Sequence, residues 1–121
     1  MEIIMPKTIL LVDDEETRST EELLRSFDYF VVSYTTGNDA LRDCQQGLRY
    51  DLALIDLSLP DSNGADVIAS LKSLYPKVPV VSFSGYGFKV AKADAHFTKP
   101  ILSQRKQDDF HSTLERLLRS R

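Results

Sequence analysis

Apolar residues follow two alternating patterns along this chain. In the first pattern they form short and mostly continuous runs, which are typical of strands buried on both faces of a parallel sheet. The run Phe30–Tyr34 is rich in β-branched and aromatic residues, which also favour a strand. The runs predict five strands: Thr8–Val12, Phe30–Tyr34, Leu52–Ile55, Val80–Phe83 and Ala95–Thr98.

In the second pattern apolar residues repeat every three or four positions, which predicts amphipathic helices between and after the strands. The second helix has a capping-box-like start at Thr36 and Asp39, and Gly47 suits its C-terminal cap. Strands that alternate with such helices predict an α/β fold with helices on both faces of the sheet. The repeats are Leu23, Leu24 and Phe27; Ala40, Leu41, Cys44 and Leu48; Val67, Ile68, Leu71 and Leu74; and Phe110, Leu114, Leu117 and Leu118.

The composition is that of an ordinary globular domain. With 121 residues we expect one domain, residues 1–121, that contains no output domain. No apolar run approaches the roughly 18 residues that a membrane span needs, and no secretory signal is recognisable, so we expect a cytoplasmic protein. A net charge of -3 argues against nucleic acid as the main partner. The single Cys44 is expected to be a small core residue.

The stretch DLALIDLSLPDSNG, residues 51–64, contains the most informative carboxylate. Its apolar run ends on Asp56, and Pro60 and Gly64 interrupt the backbone before the next helix. Open α/β sheets bind their ligands beyond the carboxyl ends of the strands. Asp56 is therefore a candidate site residue, although a surface Asp could also simply end a strand.

Other polar residues follow the neighbouring strands. If the sheet is parallel, Asp13, Asp14, Asp56, Ser84 and Lys99 converge at one edge. Three adjacent carboxylates repel one another unless a cation lies among them, and their hard oxygen ligands suit Mg²⁺. A hydroxyl and an ammonium beside the metal would bind phosphoryl oxygens, and an Asp carboxylate can accept a phosphoryl group. This combination indicates a phosphoryl-transfer site.

The segments LLVDDEE, DLSLPDSNG, FSGYG and FTKP resemble those of the response-regulator receiver domains of two-component signalling, a CheY-like superfamily. The likeness covers nearly the whole chain. It implies a flavodoxin-like three-layer sandwich with five parallel strands in the order 2-1-3-4-5. It further implies a bacterial phosphorelay protein that is not an enzyme, apart from Mg²⁺-dependent self-phosphorylation and dephosphorylation.

The resemblance assigns roles to residues of this chain. Asp56 would accept a phosphoryl group from a histidine kinase or a histidine phosphotransfer protein and thereby change the binding of an unknown downstream protein. Ser84 and Lys99 would contact that group, and the Lys99–Pro100 bond would be cis. The chain would act as a monomer or weak dimer. The Mg²⁺ ligands, with Mn²⁺ as a substitute, would be Asp13, Asp14, Asp56 and the backbone carbonyl of Ser58.

Two features depart from the family pattern. His96 stands where receivers carry a Tyr or Phe that moves with the hydroxyl residue, so we expect it to be either part of a switch or a polar strand end. Only fourteen residues separate Ser84 from Lys99, too few for a helix of roughly 11 residues, a strand and their connections. The fourth helix of the family should be short or absent. PVVSFSGYG also resembles the PFxFATGYG signature of the FAT GUY subgroup, and Tyr86 should lie over the mouth of the site as part of the switch.

The sequence bears on three other functions. A phosphohydrolase of the haloacid-dehalogenase type needs a second Asp two residues after the nucleophile, where this chain has Ser58. A flavin binder needs a phosphate-binding first loop, but the acidic residues 13–16 would repel phosphate. A receiver fold that binds partners without phosphorylation stays an alternative.

Overall fold

The computed structural model of the chain describes residues 5–14, 19–85 and 90–119. In this part of the chain, strands and helices follow the order predicted from the apolar pattern. None of these helices is long and apolar enough to cross a membrane. The elements are β1 (Thr8–Val12), α1 (Ser19–Ser26), β2 (Phe30–Tyr34), α2 (Gly37–Gln45), β3 (Leu52–Asp56), α3 (Gly64–Leu74), β4 (Val80–Ser84), β5 (Ala95–Thr98) and α4 (Gln104–Arg119).

The five strands form one parallel sheet in the order β2-β1-β3-β4-β5. This order confirms the prediction of a flavodoxin-like fold. The register pairs Val12 of β1 with Ile55 of β3, and Asp56 with Phe83 of β4. The residues that follow β1, β3 and β4 are therefore brought to the same carboxyl edge.

Each face of the sheet has its own hydrophobic core. Side chains alternate between the faces along a strand, so Leu10 and Ile55 pack in the core under α2 and α3, whereas Ile9 and Leu54 pack under α1 and α4. All five residues of β3 are buried. Cys44 lies in the core on the α2 side, as predicted.

The helix ends follow local rules of capping. Thr36 is the N-cap of α2, and its hydroxyl accepts a hydrogen bond of 3.2 Å from the Asp39 amide, as the capping-box spacing predicts. Gly47 has a φ of 103°, a left-handed conformation that suits a glycine just beyond a helix. Asn63 caps α3 by accepting a hydrogen bond of 2.8 Å from the Ala65 amide.

The connection from β4 to β5 has no helix in its described residues, Gly85 and residues 90–94. Val90 and Ala93 pack instead against the core on the α3 side. The Asp94 carboxylate accepts a hydrogen bond of 2.8 Å from the Val80 amide and lies 2.7 Å from the Lys72 ammonium. For these residues the prediction of a short or absent fourth helix is confirmed.

Candidate functional site

Three carboxylates meet at the carboxyl edge of the sheet. Asp13 and Asp14 follow β1, and Asp56 is the last residue of β3. One ligand oxygen from each lies within 4.8 Å of the other two. Asp56 is only 2% exposed and Asp13 is also buried, whereas Asp14 is exposed to solvent. The cluster is therefore set into the protein but is open on the side of Asp14.

The Lys99 ammonium lies between two of these carboxylates. Its Nζ is 3.2 Å from Asp56 Oδ2 and 3.4 Å from Asp13 Oδ1. It also lies 4.7 Å from the centroid of the Phe83 ring. The ammonium thus offsets part of the negative charge of the cluster. The Lys99–Pro100 peptide bond that follows is cis, as the resemblance implies.

Burial of the Asp56 carboxyl raises its pKa above the usual value, because the charged form loses solvation. Two contacts act in the opposite direction. The Ser58 amide donates a hydrogen bond of 2.9 Å to Asp56 Oδ1, and the Lys99 ammonium attracts the carboxylate. A hydrogen bond and a cation therefore support the buried charge, and a second cation would support it further.

The loop after Asp56 is closed tightly at its base. Ser58 and Asn63 form an antiparallel bridge, and the Gly64 amide donates a hydrogen bond of 3.3 Å to the Leu57 carbonyl. A Cβ atom at Gly64 would lie 2.5 Å from Leu57 Cα and would also overlap the Asp56 carbonyl oxygen. Only glycine allows α3 to begin this close to the end of β3. This explains why Gly64 stands at the point where the sequence predicts an interruption of the backbone before the helix.

Ser84 lies at the same edge, at the end of β4, and is 1% exposed. Its carbonyl accepts a hydrogen bond of 2.7 Å from the Lys99 amide. The backbone thus joins the positions of the predicted hydroxyl and ammonium groups. Of the five residues predicted to converge, the three carboxylates lie within 4.8 Å of one another, and Lys99 contacts Asp13 and Asp56. Ser84 lies at the same edge and is joined to Lys99 through the backbone.

His96 lies in β5, directly beside Ser82 of β4. Its Nδ1 is 2.8 Å from the buried Ser82 hydroxyl. This hydrogen bond fixes the half-buried ring to β4, two residues before Ser84, and no signal in the sequence predicted it. Tyr86, the other predicted switch residue, lies outside the described residues.

The cluster fits a hard divalent cation. Its donors are all carboxylate oxygens, and the exposed side at Asp14 leaves room for water ligands, which Mg²⁺ usually retains. A thiolate or imidazole set would indicate a softer metal. Fold and site together define an α/β protein with an acidic cluster, suited to a hard cation, at the end of its central strand.

Residues 9–107 match the family model of the response regulator receiver domain. The cell cycle transcriptional regulator CtrA of Caulobacter vibrioides is 30% identical over an alignment of 117 residues, which covers 91% of this chain and 51% of CtrA. The transcriptional regulatory protein ZraR of Escherichia coli is 28% identical over an alignment of 119 residues, which covers 91% of this chain and 26% of ZraR. The chain thus spans about half or less of these curated relatives.

Solved structures agree with this match. A CheY-like receiver domain from Methanospirillum hungatei superposes with a TM-score of 0.79 at 28% identity, and covers 93% of this chain and 94% of its own. The receiver domain of the sensor histidine kinase PA1611 from Pseudomonas aeruginosa gives 0.80 at 25% identity and covers 94% and 98%. That structure contains a magnesium ion in its active-site cleft. The chain belongs to the response-regulator receiver family.

Proposed function

We propose that this chain is a phospho-accepting receiver that takes a phosphoryl group onto Asp56 from a histidine kinase or a histidine phosphotransfer protein. One observation carries the proposal. A buried carboxylate at the end of the central strand lies within 4.8 Å of two further carboxylates and 3.2 Å from an ammonium. A carboxylate that served only to end a strand would not need this surrounding charge.

In the proposed reaction an Asp56 carboxylate oxygen attacks the phosphorus of a phosphohistidine. A P–O bond forms, the P–N bond breaks, and the electron pair leaves with the imidazole nitrogen. Bound Mg²⁺ would offset the negative charge of the transferred group. The Ser58 N–H keeps the other Asp56 oxygen oriented, because it already donates to Oδ1 over 2.9 Å.

The carboxylate cluster and the contacts of Lys99 support the roles proposed for the residues that would hold the metal and the phosphoryl group. Asp13, Asp14 and Asp56 supply carboxylate ligands, and the Ser58 carbonyl is the proposed fourth protein ligand. Lys99 would move from its carboxylate contacts to a phosphoryl oxygen, which also carries negative charge. Ser84 at the end of β4 would donate its hydroxyl to another, and His96 and Tyr86 would respond to its movement.

A concave surface beside the site supports a protein as the phosphoryl donor. A cavity of about 570 Å³ extends from Lys99 between α1 and the segment after β5. Leu23, Ile101 and Leu102 line it, and Leu102 is 73% exposed. Leu23 and Ile101 are partly buried. A concave surface with apolar side chains next to a buried reactive group is typical of a surface that a partner covers.

The test is labelling with acetyl phosphate and Mg²⁺, followed by mass spectrometry. We expect one phosphoryl group on Asp56 that resists acid and is released by base. The Asp56→Asn variant should fold with the same far-UV circular dichroism and acquire no label. Equal labelling of the variant would refute the assignment. A folded wild-type protein that takes no label from acetyl phosphate or from any kinase would favour the alternative, an interaction module without phosphorylation.

A further inference from the structure

The tip of the loop that follows Asp56 is attached to the start of α2. The Gly37 amide donates a hydrogen bond of 3.0 Å to Asp61 Oδ1, and the Asn38 amide donates one of 2.8 Å to Oδ2. The Ser62 hydroxyl adds a donor to Oδ1 at 3.2 Å. A single carboxylate therefore joins the loop to α2 through two hydrogen bonds, which connect residues 24 and 23 positions apart in sequence.

These bonds occupy backbone groups that a helix leaves unpaired. The first N–H groups of a helix have no intrahelical acceptor, and their positive end favours an anion. Thr36 accepts from Asp39, so the amides of Gly37 and Asn38 depend on Asp61. The hydrogen bond from Asn38, with that from Gly37, holds the pKa of the Asp61 carboxyl below its usual value. The anchor is therefore ionised at neutral pH.

Close packing accompanies the hydrogen bonds. A Cβ atom at Gly37 would overlap the Ser62 hydroxyl and lie 2.7 Å from Val67 Cγ2. The loop approaches the first turn of α2 as closely as the backbone allows. It is thus restrained at its base by the Ser58–Asn63 bridge and at its tip by Asp61.

We propose that Asp61 is a positioning residue for the metal site, acting through the backbone of Ser58. This inference rests on the proposed function, in which the Ser58 carbonyl is a Mg²⁺ ligand. A backbone carbonyl has no rotamer of its own, so its direction depends on the path of the loop. Asp61 restricts that path from three residues away by fixing the tip to a packed helix, without contacting the metal.

The experiment compares variants of the same helix start. Asp61→Ala removes the anchor, and Asp61→Asn keeps one carbonyl acceptor without the charge. Thr36→Ala is the matched control, because it removes a different capping bond of α2 and leaves the loop contact intact. Mg²⁺ affinity is measured by calorimetric titration, and backbone amide exchange is followed by NMR in metal-free protein.

For Asp61→Ala we expect Mg²⁺ affinity to fall roughly tenfold, the lower end of the effects seen when partners that orient metal ligands are removed. Exchange at the Ser58 amide should become faster. Asp61→Asn should lie between this variant and the wild type. Thr36→Ala should lower the melting temperature while Mg²⁺ affinity and Ser58 exchange stay at the wild-type values.

Unchanged affinity and exchange in Asp61→Ala would overturn the inference. Equal losses in Asp61→Ala and Thr36→Ala would also overturn it, since they would show only the general effect of weakening α2. A wild-type protein that does not bind Mg²⁺ would instead refute the proposed function. In that case the exchange of Ser58 in metal-free protein still decides whether Asp61 positions the loop.

Discussion

Replacing Tyr50 by phenylalanine should stabilise the protein. Tyr50 is 6% exposed in the core on the α2 and α3 side, and its hydroxyl has no hydrogen-bond partner among the described residues. A buried hydroxyl without a partner costs roughly 1–3 kcal/mol, because it loses its bonds to water. Tyr50→Phe keeps the ring, whose edge contacts Tyr75 at a centroid distance of 5.6 Å. We expect the free energy of unfolding to rise by about 1 kcal/mol, taking the low end because a small void is left.

Thermal and urea denaturation followed by circular dichroism measure this change. A gain of 1 kcal/mol corresponds to a rise of roughly 4 °C in melting temperature for a domain of this size. Tyr75→Phe is the matched control, since the Tyr75 hydroxyl lies 3.2 Å from the carbonyl oxygens of both Cys44 and Leu48. That variant should lose about 1 kcal/mol. A loss of stability in Tyr50→Phe would refute the reasoning and indicate that a buried water satisfies the hydroxyl.

The stability difference between Tyr50→Phe and the wild type should also depend on pH in the alkaline range. Burial raises the pKa of Tyr50 above its usual value. A group whose pKa is higher in the folded state contributes stability below its unfolded pKa of about 10 and loses that contribution as the pH rises further. Phenylalanine has no proton to lose. The gain in the free energy of unfolding of Tyr50→Phe over the wild type should therefore be constant up to about pH 10 and should grow above it.

Three further predictions concern the site. Asp14→Asn should weaken Mg²⁺ binding but leave the melting temperature in EDTA unchanged or higher, because it relieves repulsion in the acidic cluster; marked destabilisation in EDTA would contradict this. Lys99→Met should destabilise the metal-free protein by about 2 kcal/mol, since two carboxylates lose their cation, and Mg²⁺ should raise its melting temperature more than that of the wild type; equal shifts would argue against the charge-offsetting role. Leu102→Glu should slow phosphotransfer from a protein donor while labelling by acetyl phosphate is unchanged; an equal effect on both donors would exclude a docking role for this side chain.

The strands and the acidic cluster could be predicted because their signals are local. β1, β2 and β5 have the predicted bounds, and β3 and β4 extend one residue further, to Asp56 and Ser84. Once the strands are parallel, their carboxyl ends have to meet at one edge, so residues far apart in sequence are placed together by topology alone. The spacing of Thr36 and Asp39 similarly predicted a cap that the structure contains.

The contacts of Asp61 and His96 could not be predicted in this way. Asp61 follows Pro60 in a loop, where an Asp commonly bonds to its own neighbours. Its partners on α2 depend on how the loop and the helix pack, which no local pattern specifies. The pairing of His96 with Ser82, which are 14 residues apart in sequence, depends on the register of two strands. The burial of the Tyr50 hydroxyl without a partner among the described residues is likewise a product of core packing.

The ammonium of Lys99 has a consequence for how the proposed phosphoryl donor would reach the pocket. With Asp13, Asp14 and Asp56 ionised and Lys99 charged, the metal-free pocket carries a net charge of two negative. It would repel an incoming phosphate group before any bond could form, and would do so most strongly at low ionic strength. One divalent cation makes the same pocket neutral. Mg²⁺ would then control the encounter itself, so the rate of phosphorylation should rise with the salt concentration in the absence of the cation and depend little on it in its presence.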